Sequence, residues 1–309
     1  MTPVAAPLAA LASVWVGSAL WVHLRGRERL SFMRQVADHS TFLAPYNAFV
    51  YLFSAVPTRP VLRPDDLPEL AHLEAHWEEI RDEARALLRS GDIRKPAKHD
   101  DLAFNSFYKR DWRRFYLKWY GDFMPSARAL CPRTIELLAA TPTVHAAMFA
   151  VLAPHSHLVR HRDPFAGSLR YHLGLQTPND DTCRIFIDGV PYLWTDGQGM
   201  LFDETYIHRA ETRTDAPRII LFCDVERPLR TPMMRALNRG IANYVLRVTA
   251  SRNVPSEKIG LVNRVSGYVH QLRRVFRRAK KANRRLYYAV KASLYGLVIW
   301  ELLLRRLFD

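Results

Sequence analysis

The alternation of hydrophobic and polar positions predicts a strand-rich region at the centre of the chain. Between residues 147 and 225, short apolar runs are separated by turn signals such as Asp188-Gly189 and Asp196-Gly197. Short strands at this spacing are typical of an all-β sandwich or barrel. Such a barrel can bring side chains from several strands together at one open end.

Helical spacing precedes this region. Apolar residues recur three or four positions apart and predict one helix through Leu70, Leu73, Trp77, Ile80 and Ala84. An aspartate can cap the start of this helix, and Gly91 ends it. A second, shorter helix is predicted over residues 132–140.

Long apolar runs lie near both ends of the chain. Residues 2–24 contain no Lys, Arg, Asp or Glu, and a run of this length can span a bilayer as a helix. A cleaved signal peptide is the alternative, but arginines follow the run and none precedes it. This favours an uncleaved anchor with the next residues in the cytoplasm. Residues 286–304 form the second run, which carries Lys291 and Glu301, so both a span and an interfacial position stay open.

These patterns divide the chain into five regions. They are an N-terminal transmembrane anchor (1–24), a basic and apolar juxtamembrane linker (25–64), a catalytic domain (65–230), a basic helical region (231–285) and a C-terminal membrane-associated or transmembrane segment (286–309). The predicted fold class is mainly β, with flanking helices and hydrophobic membrane segments at the termini.

The charge of the chain indicates an anionic partner. Its 309 residues carry a formal net charge of +15, which suits nucleic acid, a membrane surface or a phosphorylated substrate. Residues 273–285 contain eight Lys or Arg and no acid, and they adjoin the second apolar run, which favours the membrane. Residues 104–121 interleave aromatic and basic side chains, as some single-strand binders do. No base-reading motif accompanies them, so we predict no nucleic-acid partner.

Residues able to bind a metal are found between positions 161 and 218. His161 and Asp163 stand two apart, and His208 follows a later apolar run. A lone His-x-Asp is most often a surface turn, but two histidines and a carboxylate that converge make the facial triad of a non-haem Fe(II) oxygenase. The planar fork of Arg218 can grip a carboxylate through two hydrogen bonds, and that carboxylate would be the far end of 2-oxoglutarate.

At these residues the chain resembles the aspartyl/asparaginyl β-hydroxylase family of Fe(II)/2-oxoglutarate dioxygenases. The resemblance extends over roughly residues 67–228. It is carried by residues 131–134 (CPRT), the His161 motif, residues 169–175 (LRYHLGL), residues 202–204 (FDE) before His208, and Arg218. The resemblance implies a double-stranded β-helix of the jelly-roll, cupin-like kind, with flanking helices.

The same resemblance implies roles for individual residues. His161 and His208 would bind Fe(II), and Arg218 would bind 2-oxoglutarate, with Arg170 and His172 also facing this cosubstrate. The peptide hydroxylases of the family have a glycine where Asp163 stands, so Asp163 is either a third metal ligand or a turn residue. We hypothesise that it is a ligand.

The layout of the whole chain resembles the bacterial lipid A hydroxylases of this family. This implies Fe(II) as cofactor, 2-oxoglutarate and O2 as cosubstrates, and 2-hydroxylation of a secondary acyl chain of lipid A at the cytoplasmic face of the inner membrane. The implied partners are lipid A and inner-membrane lipids, and no obligate protein partner is inferred. Three alternatives stay open: a peptidyl aspartyl/asparaginyl β-hydroxylase, a non-catalytic cupin-like membrane scaffold, and a nucleic-acid-binding protein.

Overall fold

Two antiparallel β-sheets form the centre of the molecule in the computed structural model, which describes residues 5–36, 38–94 and 112–261, with scattered positions between 263 and 293. The larger sheet has six strands in the order β2-β1-β3-β10-β5-β8, and the smaller has four in the order β4-β9-β6-β7. The strands are β1 (Arg113–Trp119), β2 (Asp122–Phe123), β3 (Val144–Leu152), β4 (His157–His161), β5 (Ser168–Gln176), β6 (Arg184–Ile187), β7 (Val190–Leu193), β8 (Gly199–Phe202), β9 (His208–Glu211) and β10 (Arg218–Glu226).

From β3 onward the chain alternates between the sheets except at the β6–β7 hairpin, with β3, β5, β8 and β10 in the larger sheet and β4, β6, β7 and β9 in the smaller. A chain that winds in this way forms a double-stranded β-helix. The mainly β prediction is therefore confirmed.

Burial differs between the strands in a way that their sequences explain. Strand β10 is buried along its whole length and β5 along all but its last residue, because both lie inside the larger sheet and helix α6 (Trp77–Ser90) packs on β5. Strands β6 and β9 alternate between buried and partly exposed positions, as strands with one solvated face do. The apolar core lies between the sheets and under the helices.

The flanking helices only partly match the prediction. The predicted helix through Leu70 and Ala84 is divided at His76 into α5 (Ala71–Ala75) and α6, because the backbone of His76 leaves the helical region at φ −116° and ψ 22°. Gly91 ends α6 in the left-handed conformation at φ 80°, which glycine adopts without strain. Helices α7 (Pro125–Leu130) and α8 (Pro132–Ala139) lie between β2 and β3, and α9 (Pro232–Ile241) follows β10.

The described part of the N-terminal region contains the helices α1 (Ala5–Leu24), α2 (Phe32–Val36), α3 (His39–Phe42) and α4 (Ala44–Leu52). Helix α1 comprises most of the residues of the predicted anchor. However, none of the helices in the described part of the chain is both long and apolar enough to cross a membrane. The transmembrane anchor predicted at residues 1–24 is therefore unsupported. The end of α1 and the residues after it contact the barrel: Val22 is buried, and the backbone N–H groups of Arg27 and Glu28 donate to the Asp188 carboxylate.

Residues 25–64, predicted to be a linker, pack closely on the domain. Val50 of α4 is fully buried, and the Tyr51 hydroxyl donates to Asp203 at 2.9 Å. Apart from a few single positions, residues 262–309 lie outside the described part of the chain, and so do residues 95–111. The predictions for the basic run at 273–285, the C-terminal segment at 286–309 and most of the aromatic stretch at 104–121 therefore stay predictions.

Candidate active site

The three predicted metal ligands meet at one end of the smaller sheet. His161 is the last residue of β4 and pairs across the sheet with His208, the first residue of β9, while Asp163 follows two positions later in the loop. One potential ligand atom from each of the three residues lies within 4.8 Å of the other two. The Asp163 carboxylate is 4.0 Å from Nε2 of His208. This donor set, two imidazoles and one carboxylate, fits Fe(II) with coordination positions left for other ligands.

Backbone carbonyls orient both histidines. Nδ1 of His161 donates to the carbonyl oxygen of Val159 at 2.8 Å, and Nδ1 of His208 donates to that of Tyr206 at 3.0 Å. Since a carbonyl oxygen can only accept, the proton is on Nδ1, and Nε2 keeps the lone pair that a metal needs. Burial lowers the pKa of His208 to about 3, so this ring is neutral near pH 7.

Asp163 is fixed by its own partners. Its carboxylate accepts a hydrogen bond from Nη2 of Arg170 at 3.1 Å, and its backbone N–H donates to the backbone carbonyl oxygen of Glu204 at 2.9 Å. Burial alone would raise the pKa of Asp163, but Arg170 and the two histidines hold it well below its usual range. The side chain is thus an ionised carboxylate among the ligand atoms, as our hypothesis requires.

Arg170, predicted to face the cosubstrate, is paired with acidic side chains in this structure. The guanidinium of Arg170 bonds to three carboxylates: Asp224 through Nε at 2.9 Å, and Asp163 and Glu204 through Nη2. These acids already compensate its charge, and the arginine positions Asp163. A cosubstrate contact for Arg170 stays a prediction. The sequence offered one signal for these partners, because Asp224 is an acid inside a fully buried strand and must be paired.

Arg218 has the opposite environment. It is fully buried, and Nε, Nη1 and Nη2 find no hydrogen-bond partner among the described residues. Its Cζ lies 4.1 Å from the ring centre of Trp194 and 5.2 Å from that of Trp112. Burial lowers the pKa of Arg218 to about 10, so the side chain is still charged at neutral pH. A buried guanidinium with three unsatisfied nitrogens is suited to a carboxylate ligand, which fits the distal end of 2-oxoglutarate.

His172 lies beside this arginine in the interior. It is buried on β5, and its Nε2 has no partner in the described part of the chain. Burial, reinforced by the charge of Arg218, lowers the pKa of His172 well below its usual value. The structure therefore places His172 and Arg218 together, and their contact with a cosubstrate stays a prediction.

The residue between the two ligands on the loop points away from the metal site. Arg162 is buried and donates from Nη1 to the carbonyl oxygen of Val22 in α1 at 2.8 Å. Close by, Asp203 accepts from Arg227 at 2.8 Å and from Arg25 at 3.3 Å. The end of α1 is thus joined to the ligand loop. No local sequence pattern predicts this link, because residues 22 and 162 are brought together only by the fold.

Replacing Asp163 with glycine is expected to weaken Fe(II) binding by more than about tenfold, because loss of a group that only supports a metal ligand already costs about 10- to 100-fold. Arg170 would keep Glu204 and Asp224, so the domain should stay folded. Calorimetric titration with Fe(II) under anaerobic conditions measures the effect. Asp215→Gly removes a fully exposed aspartate of the same molecule and serves as the control. Equal affinity in both variants would mean that Asp163 is a turn residue.

This chain is similar in sequence to known hydroxylases. Residues 74–228 match the family model described as Aspartyl/Asparaginyl beta-hydroxylase. The chain is 33% identical over 192 residues to the ornithine lipid ester-linked acyl 2-hydroxylase of Rhizobium tropici, covering 60% of this chain and 67% of the relative. It is 28% identical over 168 residues to the human aspartyl/asparaginyl beta-hydroxylase, covering 53% of this chain and 22% of that protein.

A third relative and one solved structure are also similar to this chain. Human aspartate beta-hydroxylase domain-containing protein 2 is 33% identical over 133 residues, and the match covers 40% of this chain and 36% of that one. The chain thus spans about a third of the length of this human relative. The crystal structure of a Pseudomonas putida prolyl-4-hydroxylase aligns with a TM-score of 0.35 at 17% identity, over 55% of this chain and 94% of the other.

Proposed function

We propose, from the premise that this chain belongs to the aspartyl/asparaginyl β-hydroxylase family, that it adds a hydroxyl group to an acyl chain of a membrane lipid. The chain is an enzyme, a hydroxylase of the Fe(II)/2-oxoglutarate dioxygenase type. The observation that carries the oxidative chemistry is the pairing of a His-Asp-His ligand set with a buried arginine that lacks a carboxylate partner among the described residues. A non-catalytic scaffold has no use for such an arginine.

The residues of the site divide between two tasks. His161, Asp163 and His208 would hold Fe(II), while Arg218 and His172 would bind and orient 2-oxoglutarate. When bound, the metal with 2-oxoglutarate and O2 supplies the oxidation that turns a C–H into a C–OH, with succinate and CO2 as the other products. His208 is buried whereas His161 and Asp163 are partly exposed. The substrate would therefore approach from the side of His161 and Asp163.

Two features support a lipid substrate. The relative from Rhizobium tropici is by its name an acyl 2-hydroxylase of a lipid. In addition, α1 exposes Leu11 and Leu24, and α3 and α4 expose Phe42 and Leu52, each with more than half of its surface accessible. Exposed apolar side chains in such number are typical of a surface that meets a partner or a membrane. The exposed Arg27 and Arg29 follow α1, and each can contribute about 1 kcal/mol of attraction to an anionic surface.

We propose a secondary acyl chain of lipid A as the substrate, hydroxylated at carbon 2 at the cytoplasmic face of the inner membrane. The phosphates of lipid A complement the net charge of +15. An ornithine lipid is the second candidate, because that is the substrate in the name of the relative from Rhizobium tropici. A peptide is the third candidate, because an enzyme that acts on a peptide has no need of the exposed apolar surface.

Mass spectrometry of lipids from a Gram-negative host tests the proposal. The host makes both lipid A without 2-hydroxyl groups and an ornithine lipid, and it expresses the wild-type chain or the His161→Ala variant. We expect one additional oxygen on a secondary acyl chain of lipid A with the wild type alone. A gain on the ornithine lipid instead would identify the second candidate. Unchanged lipids with a newly hydroxylated aspartate or asparagine in a host protein would assign the chain to the peptide hydroxylases.

A further inference from the structure

The surroundings of His172 and Arg218 contain one residue that touches both. Trp194 is buried just after β7, and its indole N–H donates to Nδ1 of His172 at 3.3 Å. Its ring also lies under the guanidinium of Arg218, with 4.1 Å between Cζ and the ring centre. His161 and His208 donate hydrogen bonds to backbone carbonyls, and Asp163 accepts one from Arg170. Trp194 therefore contacts the cosubstrate residues and not the metal site.

The hydrogen bond from Trp194 decides which nitrogen of His172 carries the proton. An indole N–H can only donate, so Nδ1 must be the acceptor. A neutral imidazole with a lone pair on Nδ1 has its proton on Nε2. Nε2 of His172 is one of the buried polar atoms with no partner within the described residues. Trp194 therefore leaves His172 with a buried, unused N–H donor.

The contact with Arg218 has a different physical basis. The guanidinium lies over an aromatic face, where a cation is attracted by the electrons of the ring. This contact leaves the edge of the guanidinium, with its N–H groups, available for a ligand. One tryptophan thus supports a charged donor and a neutral donor that are both unsatisfied and both buried. A compact dicarboxylic acid can accept from both.

We propose that Trp194 is a positioning residue for 2-oxoglutarate: it fixes His172 in the tautomer with hydrogen on Nε2 and supports Arg218 over its ring, so that both present N–H donors to the cosubstrate. This inference rests on the proposed function in one respect, the identity of the cosubstrate. It does not depend on which lipid or peptide is hydroxylated.

Trp194→Phe tests the inference, because it keeps an aromatic ring over Arg218 and removes the indole N–H. Trp119→Phe is the matched control, since its indole N–H donates to the carbonyl oxygen of Leu246 at 3.1 Å, in a different part of the fold. Each protein is loaded with Zn²⁺, which supports no turnover, and titrated with 2-oxoglutarate in a calorimeter. We expect Trp194→Phe to bind about tenfold more weakly, the loss of roughly one hydrogen bond, and Trp119→Phe to bind as the wild type does.

Nitrogen NMR of the histidine rings gives a second readout that a merely structural role would not move. In the wild type, His172 should show a protonated Nε2 and an unprotonated Nδ1, and Trp194→Phe should shift this ring toward the other tautomer. Unchanged affinity with an unchanged tautomer in Trp194→Phe would overturn the inference. Failure of the wild type to bind 2-oxoglutarate would overturn the cosubstrate assignment and the inference together, whereas unmodified lipids in cells would leave the inference standing.

Discussion

Replacing either His161 or His208 with alanine is expected to abolish hydroxylation, with 2-oxoglutarate consumption falling by more than about a hundredfold. Loss of groups that only support a metal ligand already costs about 10- to 100-fold, and these variants remove a ligand itself. Consumption of 2-oxoglutarate in the presence of Fe(II) and O2 measures the effect, and anaerobic metal titration shows whether binding has been lost. The reason is geometric, because the ligand atoms converge within 4.8 Å.

His157→Ala is the matched control for both variants. His157 lies on the same strand as His161 but is exposed, and it is not among the residues that converge on the metal site. It should keep both turnover and metal affinity. Full activity in His161→Ala or His208→Ala would remove the metal assignment, and equal losses in all three variants would point to damage to the strand instead.

Arg218→Met is expected to stop 2-oxoglutarate binding while leaving the protein as stable as the wild type, or more stable. A buried charge without a partner is unfavourable, and an apolar side chain of similar length removes that penalty. The same change removes the group that would pair with a carboxylate, so the affinity for 2-oxoglutarate should fall more than about a hundredfold, as for other buried charge pairs. Added 2-oxoglutarate should therefore raise the melting temperature of the wild type and not that of the variant.

Arg227→Met provides the opposite case within the same molecule. Arg227 is as completely buried as Arg218, but it donates to Asp203 at 2.8 Å and to the carbonyl oxygen of Ala166 at 2.6 Å. Removing one partner of a buried pair typically costs about 3–5 kcal/mol, so this variant should melt at a lower temperature. Equal destabilisation by both substitutions, with 2-oxoglutarate binding intact in Arg218→Met, would contradict the cosubstrate role of Arg218.

The ligand set and the strands that carry it could be predicted from the sequence, but the residues that hold the ligands in place could not. Periodicity and turn signals indicated the β region, and the spacing of His161, Asp163 and His208 with Arg218 indicated the chemistry. The role of Asp163 could not be decided from spacing, because its charge state depends on Arg170, seven residues later on a different strand. Asp224 pairs with Arg170 only through the register of β10 against β5, which no local pattern encodes.

The N-terminal region shows why contacts between distant residues could not be predicted from local patterns. An apolar helix with arginines after it has the same pattern whether it crosses a bilayer or docks on a domain. In this structure the residue directly after α1 has its partner far along the chain, since Arg25 pairs with Asp203. Trp194 was missed for a related reason. A tryptophan after a short strand usually fills the core, and its role follows only from the two residues that the fold places against it.

The link between α1 and the ligand loop also has a consequence for protein synthesis. Arg25 and its partner Asp203 are 178 positions apart, and the ribosome adds about 5–20 residues per second. Helix α1 would thus leave the ribosome roughly 10–35 s before its docking site on the barrel exists. During that interval α1 can contact α3 and α4, which follow it along the chain, but not the barrel. A chaperone or a lipid surface can bind its exposed apolar side chains first. The order of translation therefore leaves α1 open to such a partner before it docks on the barrel.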